Sequence, residues 1–223
     1  MDLMDSAVIQ MLLEGIRDTL YMTVASTFFA YVLGFPLAIC LVLFKKEGLK
    51  PLPVVHRILD FVTNILRSVP FLILLILVIP LTKLIVGKSY GSTATVVPLV
   101  VAAAPFVARL IESSLMEVDA GVIEAAQSMG ASVSNIVFKV MIPEAKTSLI
   151  TGATIALATI LGYSAMAGAV GGGGLGDIAI RYGYMRYQTD MMVITVVLLV
   201  LMVQILQEIG TQIAKRTDKR NIK

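Results

Sequence analysis

Few side chains in this sequence could carry out chemistry. His56 is its one histidine and Cys40 its one cysteine, so neither a metal constellation nor an intrachain disulfide can be built from them. Ser164 stands in Gly162-Tyr163-Ser164-Ala165-Met166. As a nucleophile it needs an adjacent base, and the apolar run around it holds neither histidine nor carboxylate. It reads as a packing serine. Residues 171–176 spell Gly-Gly-Gly-Gly-Leu-Gly and so contain G-x-G-x-x-G. That pattern cradles a pyrophosphate where it follows a strand and opens a helix. Here it follows a long apolar run, and Asp177 stands where a Walker A loop needs Lys and then Ser or Thr. A close-packed outer loop is the plainer account.

What remains is one polar stretch, 119–143, in a chain that otherwise avoids charge. Val122, Ala126, Met129, Val133, Ile136 and Val140 recur every three or four residues, which places a single stripe on one helical face. Gly130 interrupts the stripe and Ser132 is a cap residue, so the spacing predicts helix, glycine turn, second helix. Pro143 is expected to end the second helix and lead into the next apolar run. Such an amphipathic element either rests its apolar face on the membrane surface or docks into a partner.

The elements that must position this stretch are membrane helices. The chain of 223 residues is 57% hydrophobic and 15% charged, with a mean hydropathy of +0.89. Soluble domains carry roughly a quarter charged residues. The fold class is therefore all-α, a polytopic membrane protein, and 1–223 counts as one domain. A net charge of +3 is too small to suggest nucleic acid. Acidic Asp2, Asp5, Glu14 and Asp18 precede the first apolar run, unlike the basic start of a cleavable signal. Charge-free runs, each extended to the length a crossing needs, predict five transmembrane helices at about 19–44, 61–82, 89–110, 147–170 and 191–213. The stretch 119–143 then lies between spans three and four.

Orientation follows from the basic residues. Lys45, Lys46, Lys50, Arg57, Lys139, Lys146, Lys215, Arg216, Lys219, Arg220 and Lys223 fall on one side and outnumber Arg17, Lys83, Lys88, Arg181 and Arg186 on the other. The richer side is expected to be cytoplasmic, which puts the N-terminus outside and the C-terminus inside. Gly34 and Pro36 predict a kink in span one, and Pro70, Pro80, Pro98 and Pro105 predict bends or ends in spans two and three. Arg67 is expected to snorkel rather than to pair with Asp60. Between Thr151 and Ala169 all but six residues are Gly, Ala, Ser or Thr, whereas Thr195 is the one such residue from Met191 to Leu206. Small residues let backbones approach closely in lipid. Span four should be central and span five should face lipid.

The polar stretch also resembles a known family. Glu124-Ala125-Ala126, then Gly130, then Val140-x-Ile142-Pro143 follow the Glu-Ala-Ala pattern of permease subunits of binding-protein-dependent ABC importers. Val140 and Ile142 replace the pattern's Ile and Leu. Asn64-Ile65-Leu66-Arg67-Ser68-Val69-Pro70-Phe71, the run from Gly162 to Gly176 and Tyr182-Gly183-Tyr184 resemble the methionine members of that family.

The resemblance implies a bacterial inner-membrane permease for methionine, the L- and possibly also the D-enantiomer, or for a related small amino acid. It implies a homodimer with two cytoplasmic ATPase subunits and an external substrate-binding lipoprotein. Glu124, Ala125, Ala126, Gly130 and Pro143 are its ATPase-docking residues. The chain itself is then not an enzyme and holds no cofactor; ATP and Mg belong to the partner. For the pathway, charge-free span four offers Tyr163, Ser164 and Met166, a polar and soft lining suited to a zwitterion with a thioether tail. Met166 either lies near a two-fold axis or is interhelical filler. The rival reading is an ion- or proton-coupled secondary amino-acid carrier. Coupled carriers hold ionisable groups near the midplane, which these runs lack, and five spans do not divide into inverted repeats.

Overall fold

The computed structural model describes residues 6–218, and every regular element among them is helical. Asp2, Asp5, Lys219, Arg220 and Lys223, which entered the charge argument, lie outside the described residues. With no water to satisfy backbone groups in a bilayer, helices are what such a sequence can form there. In order these are α1 (Ser6–Phe44), α2 (Pro53–Ser68), α3 (Phe71–Leu77), α4 (Ile79–Val86), α5 (Ser92–Met116) and α6 (Ala120–Ser128). Then come α7 (Val133–Asn135), a π turn (Ile136–Met141), α8 (Ile142–Glu144), α9 (Lys146–Ala167), a 3₁₀ turn (Gly168–Val170), α10 (Gly174–Ile178), a π turn (Ala179–Tyr184) and α11 (Thr189–Thr217).

Four helices or helical runs are long and apolar enough to cross a membrane, and a fifth span exists if the bent pair α2–α3 counts as one. That pair corrects the second predicted span. Instead of one helix at 61–82, the chain turns by 103° between Ser68 and Phe71. Pro70 has no N–H to continue the ladder and pushes Val69 out of the helical region. Pro80 stands in the first turn of α4, just past the break at Val78; three other prolines interrupt no element. Pro36 lies inside α1, and Pro98 and Pro105 lie inside α5, each within one unbroken element.

The contacts form two compact units. In the first, comprising 6–29, Val69–Ala103 and Leu157–Gln207, Met22, Phe71, Leu75, Leu99 and Ala167 pack together. A second cluster there joins Val8 to Leu175, Ile178 and Met191. The helix α1 thus extends well before the charge-free run, and Met11, Leu12 and Ile16 pack on that cluster. In the second unit, comprising Ala30–Ser68, Ala104–Ala156 and 208–218, α1 and α5 lie close. A methyl at Gly34 would meet the Ala104 carbonyl at 2.8 Å. Gly34 therefore serves helix approach.

The expected ranking of burial is partly reversed. The third span, α5, is the most enclosed, with 67% of its apolar window buried, against 39% for the run containing α9 and 17% for α11. The low burial of the last span was legible; that the third span is more enclosed than the fourth within one chain was not. Its small residues permit close approach but leave one face open within the single chain.

Candidate functional site

The polar stretch folds as a capped hairpin of two short helical arms. Asp119 begins α6, its carboxylate accepting from the Gly121 N–H at 2.7 Å. The end of α6 is a Schellman turn. The Ala131 N–H donates to the Ala126 carbonyl at 3.1 Å and the Gly130 N–H to the Gln127 carbonyl at 2.9 Å. Gly130 takes φ +77°, a left-handed conformation that costs a side-chain-bearing residue about 1–2 kcal/mol. Ser132 caps the second arm by accepting from the Asn135 N–H at 3.3 Å.

The second arm does not stop at Pro143. It widens into the π turn Ile136–Met141, where the Ile142 N–H reaches back to the Val137 carbonyl. The wider turn relieves the clash a proline ring makes with the carbonyl four residues back. Helical bonding then runs on, Ala145 N–H to Met141 carbonyl and Leu149 N–H to Ala145 carbonyl, both 2.9 Å. Only Ala145 separates α8 from α9.

The predicted stripe divides: Ala126 and Ile136 are buried, Val133 and Val140 half-buried, Val122 and Met129 exposed. Val137 and Met141, outside the stripe, are buried too, and α6 packs on the π turn. Val122, Glu124, Ala125 and Met129 are exposed, Met129 at 81%. Ala125 and Ala126 thus have opposite roles. Glu124 sits in the second turn of α6, so the helix-start position belongs to Asp119. The exposed residues include Val122, Glu124, Ala125, Gln127 and Met129, along a helix fixed at both ends.

A charge cluster that sequence reasoning missed lies where α2 meets α5. Arg109 donates to Asp60 Oδ1 at 2.5 Å, Asn64 Oδ1 at 2.9 Å and Glu112 Oε2 at 2.7 Å. Asp60 therefore pairs with Arg109 and not with Arg67. The signals were present: Asp60 and Asn64 are four apart on one face of α2, and Arg109 and Glu112 are three apart on α5.

The pathway candidates separate. Ser164 is buried and its hydroxyl donates to the Leu161 carbonyl at 2.8 Å, so it has no donor to offer a solute. Tyr163 stacks flat on Phe71, ring centroids 4.5 Å apart. Met166 is 50% exposed. Beyond it, the glycine loop is tightly packed: a methyl on Gly176 would fall 2.1 Å from the Ala165 carbonyl oxygen. The Thr95 hydroxyl donates to the Gly172 carbonyl at 3.2 Å, and the Leu175 N–H donates to the Thr19 hydroxyl at 2.9 Å.

Comparison with known proteins yields close relatives. The model of the family described as binding-protein-dependent transport system inner membrane component matches residues 30–220. A probable D-methionine transport system permease protein of Vibrio cholerae is 52% identical over 210 residues, 94% of this chain and 93% of that one. The methionine import system permease protein of Bacillus subtilis is 46% identical over 180 residues, 81% of each chain. Among solved structures, a chain of an inward-facing methionine ABC transporter superposes with a TM-score of 0.95 at 43% identity, covering 97% of this chain and 100% of that one. A chain of an amino acid ABC transporter, 20% identical with a TM-score of 0.78 over 94% of this chain and 95% of that one, shares the fold.

Proposed function

The chain belongs to the family of binding-protein-dependent transport system inner membrane components, and on that premise we propose that it is the permease subunit of an ATP-driven ABC importer for methionine. The relatives' names support the substrate, both the D-methionine of the Vibrio cholerae protein and the methionine of the Bacillus subtilis one. Two copies enclose the pathway, two cytoplasmic ATPase subunits bind ATP and Mg and hydrolyse ATP, and an external lipoprotein delivers the amino acid. The N-terminus is outside and the C-terminus cytoplasmic, as the basic residues favour.

The observation that carries the coupling mechanism is the exposed face of α6. Glu124, Ala125 and Met129 stand out from a helix held by Asp119 at its start and by the Gly130 turn at its end. That face fits a groove on the ATPase. Motion imposed there passes through Ala126 to the π turn it packs on, and then along the hydrogen-bonded run from Val133 into α9. Within α9, Tyr163 and Met166 are the pathway residues this reading retains; Ser164 holds the helix backbone. The rival, a proton- or ion-coupled carrier, predicts a different energy source. Methionine uptake into membrane vesicles that requires ATP and survives an uncoupler supports the importer. Uptake that collapses with the proton gradient and ignores ATP overturns it.

A further inference from the structure

The end of α1 and the second arm of the hairpin enclose an open cleft of about 540 Å³. Ile39, Leu43 and Phe44 form one wall, Val137 and Phe138 the other, and Lys50 stands in the lining as its one charged group. A cleft of this size is within the usual range for a small-molecule site. Six apolar residues, Val133 among them, one hydroxyl, that of Ser134, and one cation line it. Phe138 is 56% exposed although it belongs to a helix whose neighbours Ile136 and Val137 are buried.

Lys50 is held at the cleft by the backbone. The chain after Phe44 folds back on the end of α1, with the Gly48 N–H donating to the Lys45 carbonyl at 2.9 Å, the Lys50 N–H to the Leu43 carbonyl at 3.0 Å and the Leu52 N–H to the Phe44 carbonyl at 3.1 Å. Gly48 is needed for that fold-back, since a methyl there would sit 2.5 Å from the Leu43 carbonyl oxygen. Lys45 and Lys46 follow Phe44 directly, so the charge-free part of α1 ends at the cleft and a segment of three lysines and one glutamate, Glu47, begins. Apolar walls continuous with the hydrocarbon part of a membrane helix, topped by lysines, match the two ends of an anionic phospholipid.

We propose that this cleft binds one acyl chain of an anionic phospholipid, with its phosphate at Lys50. The acyl chain lies between α1 and the π turn, so the lipid braces the arm that leads into α9. A protein occupant is less suited. The face that fits the ATPase lies on α6 and carries Glu124, whereas the cleft is apolar and its charge is positive. The proposal stands independently of the transported substrate.

The test uses the full chain reconstituted in phosphatidylcholine vesicles. These are doped with either of two photoactivatable lipids, a phosphatidylglycerol or a phosphatidylcholine, each with the reactive group at the same acyl position. Adducts are mapped by peptide mass spectrometry. The expected result is labelling at Leu43, Phe44, Val137 or Phe138 by the phosphatidylglycerol probe well above the phosphatidylcholine probe. Lys50→Gln should lower phosphatidylglycerol labelling about fivefold, the weight of one lysine at an anionic surface, and leave phosphatidylcholine labelling unchanged. Equal labelling by the two probes in the wild type, or adducts confined to other segments, overturns the proposal without need of any variant. Loss of labelling on adding the ATPase subunit also overturns it, and assigns the cleft to that protein.

Discussion

Two adjacent alanines show how much a single position decides. Ala125 is exposed and Ala126 is 4% exposed, on a helix that packs on the π turn. A tryptophan at each should therefore fail in different ways. Ala126→Trp forces bulk into a filled site, at a cost of about 1–3 kcal/mol, and should lower the melting temperature of the purified chain. Ala125→Trp should leave that temperature unchanged while the ATPase no longer co-purifies. Gly130 gives a third pattern. Nothing lies within 4 Å of a methyl built there, so its constraint is φ +77° alone. Gly130→Val should abolish ATPase stimulation, while Gly130→Asn, which tolerates the left-handed region, should retain most of it. Equal behaviour of Val and Asn would remove the turn from the coupling mechanism. The stripe, the glycine and the Ser132 cap were legible because they are local. Which alanine faced outward was not, because successive residues point about 100° apart and the π turn α6 packs on fixes its rotation.

Elements were legible where hydrocarbon length alone dictates them, and less so where a charge inside a span has a use. α5 and α9 cover most of their predicted spans, α11 contains its own, and α1 contains its own with an added stretch before Thr19. Arg109 falls at the end of the third predicted span and Asp60 just before the second, and their meeting depends on how α2 lies against α5. That contact matters because α2 has little else: Thr63 is its one buried residue, and Val54, Ile58, Phe61 and Ile65 remain exposed. Arg109 supplies a planar fork of donors that lysine cannot reproduce. The Arg109 side chain is 18% exposed and that of Asp60 39%, so solvent weakens the pair on the aspartate side. Arg109→Ala should cost about 2–4 kcal/mol, since Glu112 and Asp60 lose their cation. Asp60→Ala should cost less, and the double variant should cost less than the two added together. Additive losses in detergent unfolding would mean that the two side chains do not hold α2 to α5.

At the scale of the whole molecule, two helices with exposed faces call for different neighbours. α11 presents Val193, Val196, Val197, Val200, Leu201 and Ile205, large apolar groups that suit acyl chains. α9 presents Gly162, Met166 and, just beyond its end, Ala169, three positions spaced by four and three. A methyl on Gly162 would meet nothing within 4 Å. Smallness at Gly162 therefore has no purpose inside this chain, although elsewhere its glycines make close contacts, as Gly176 does with Ala165. In lipid, where apolar area gives no drive to association, small residues mark a face built for another helix. We propose that the same face on a second copy closes the pair by two-fold symmetry, the commonest form of assembly, with Met166 near the axis, opposite its counterpart. Met166→Cys in a Cys40→Ala background should give a dimer-sized band on mild oxidation, at wild-type uptake before oxidation. Gly162→Leu should leave the melting temperature of the monomeric unit intact, because the space is open, and shift native mass spectra from two copies to one. A transport-active Met166→Cys protein that never cross-links, together with a Gly162→Leu protein that stays dimeric, would place the interface on another helix.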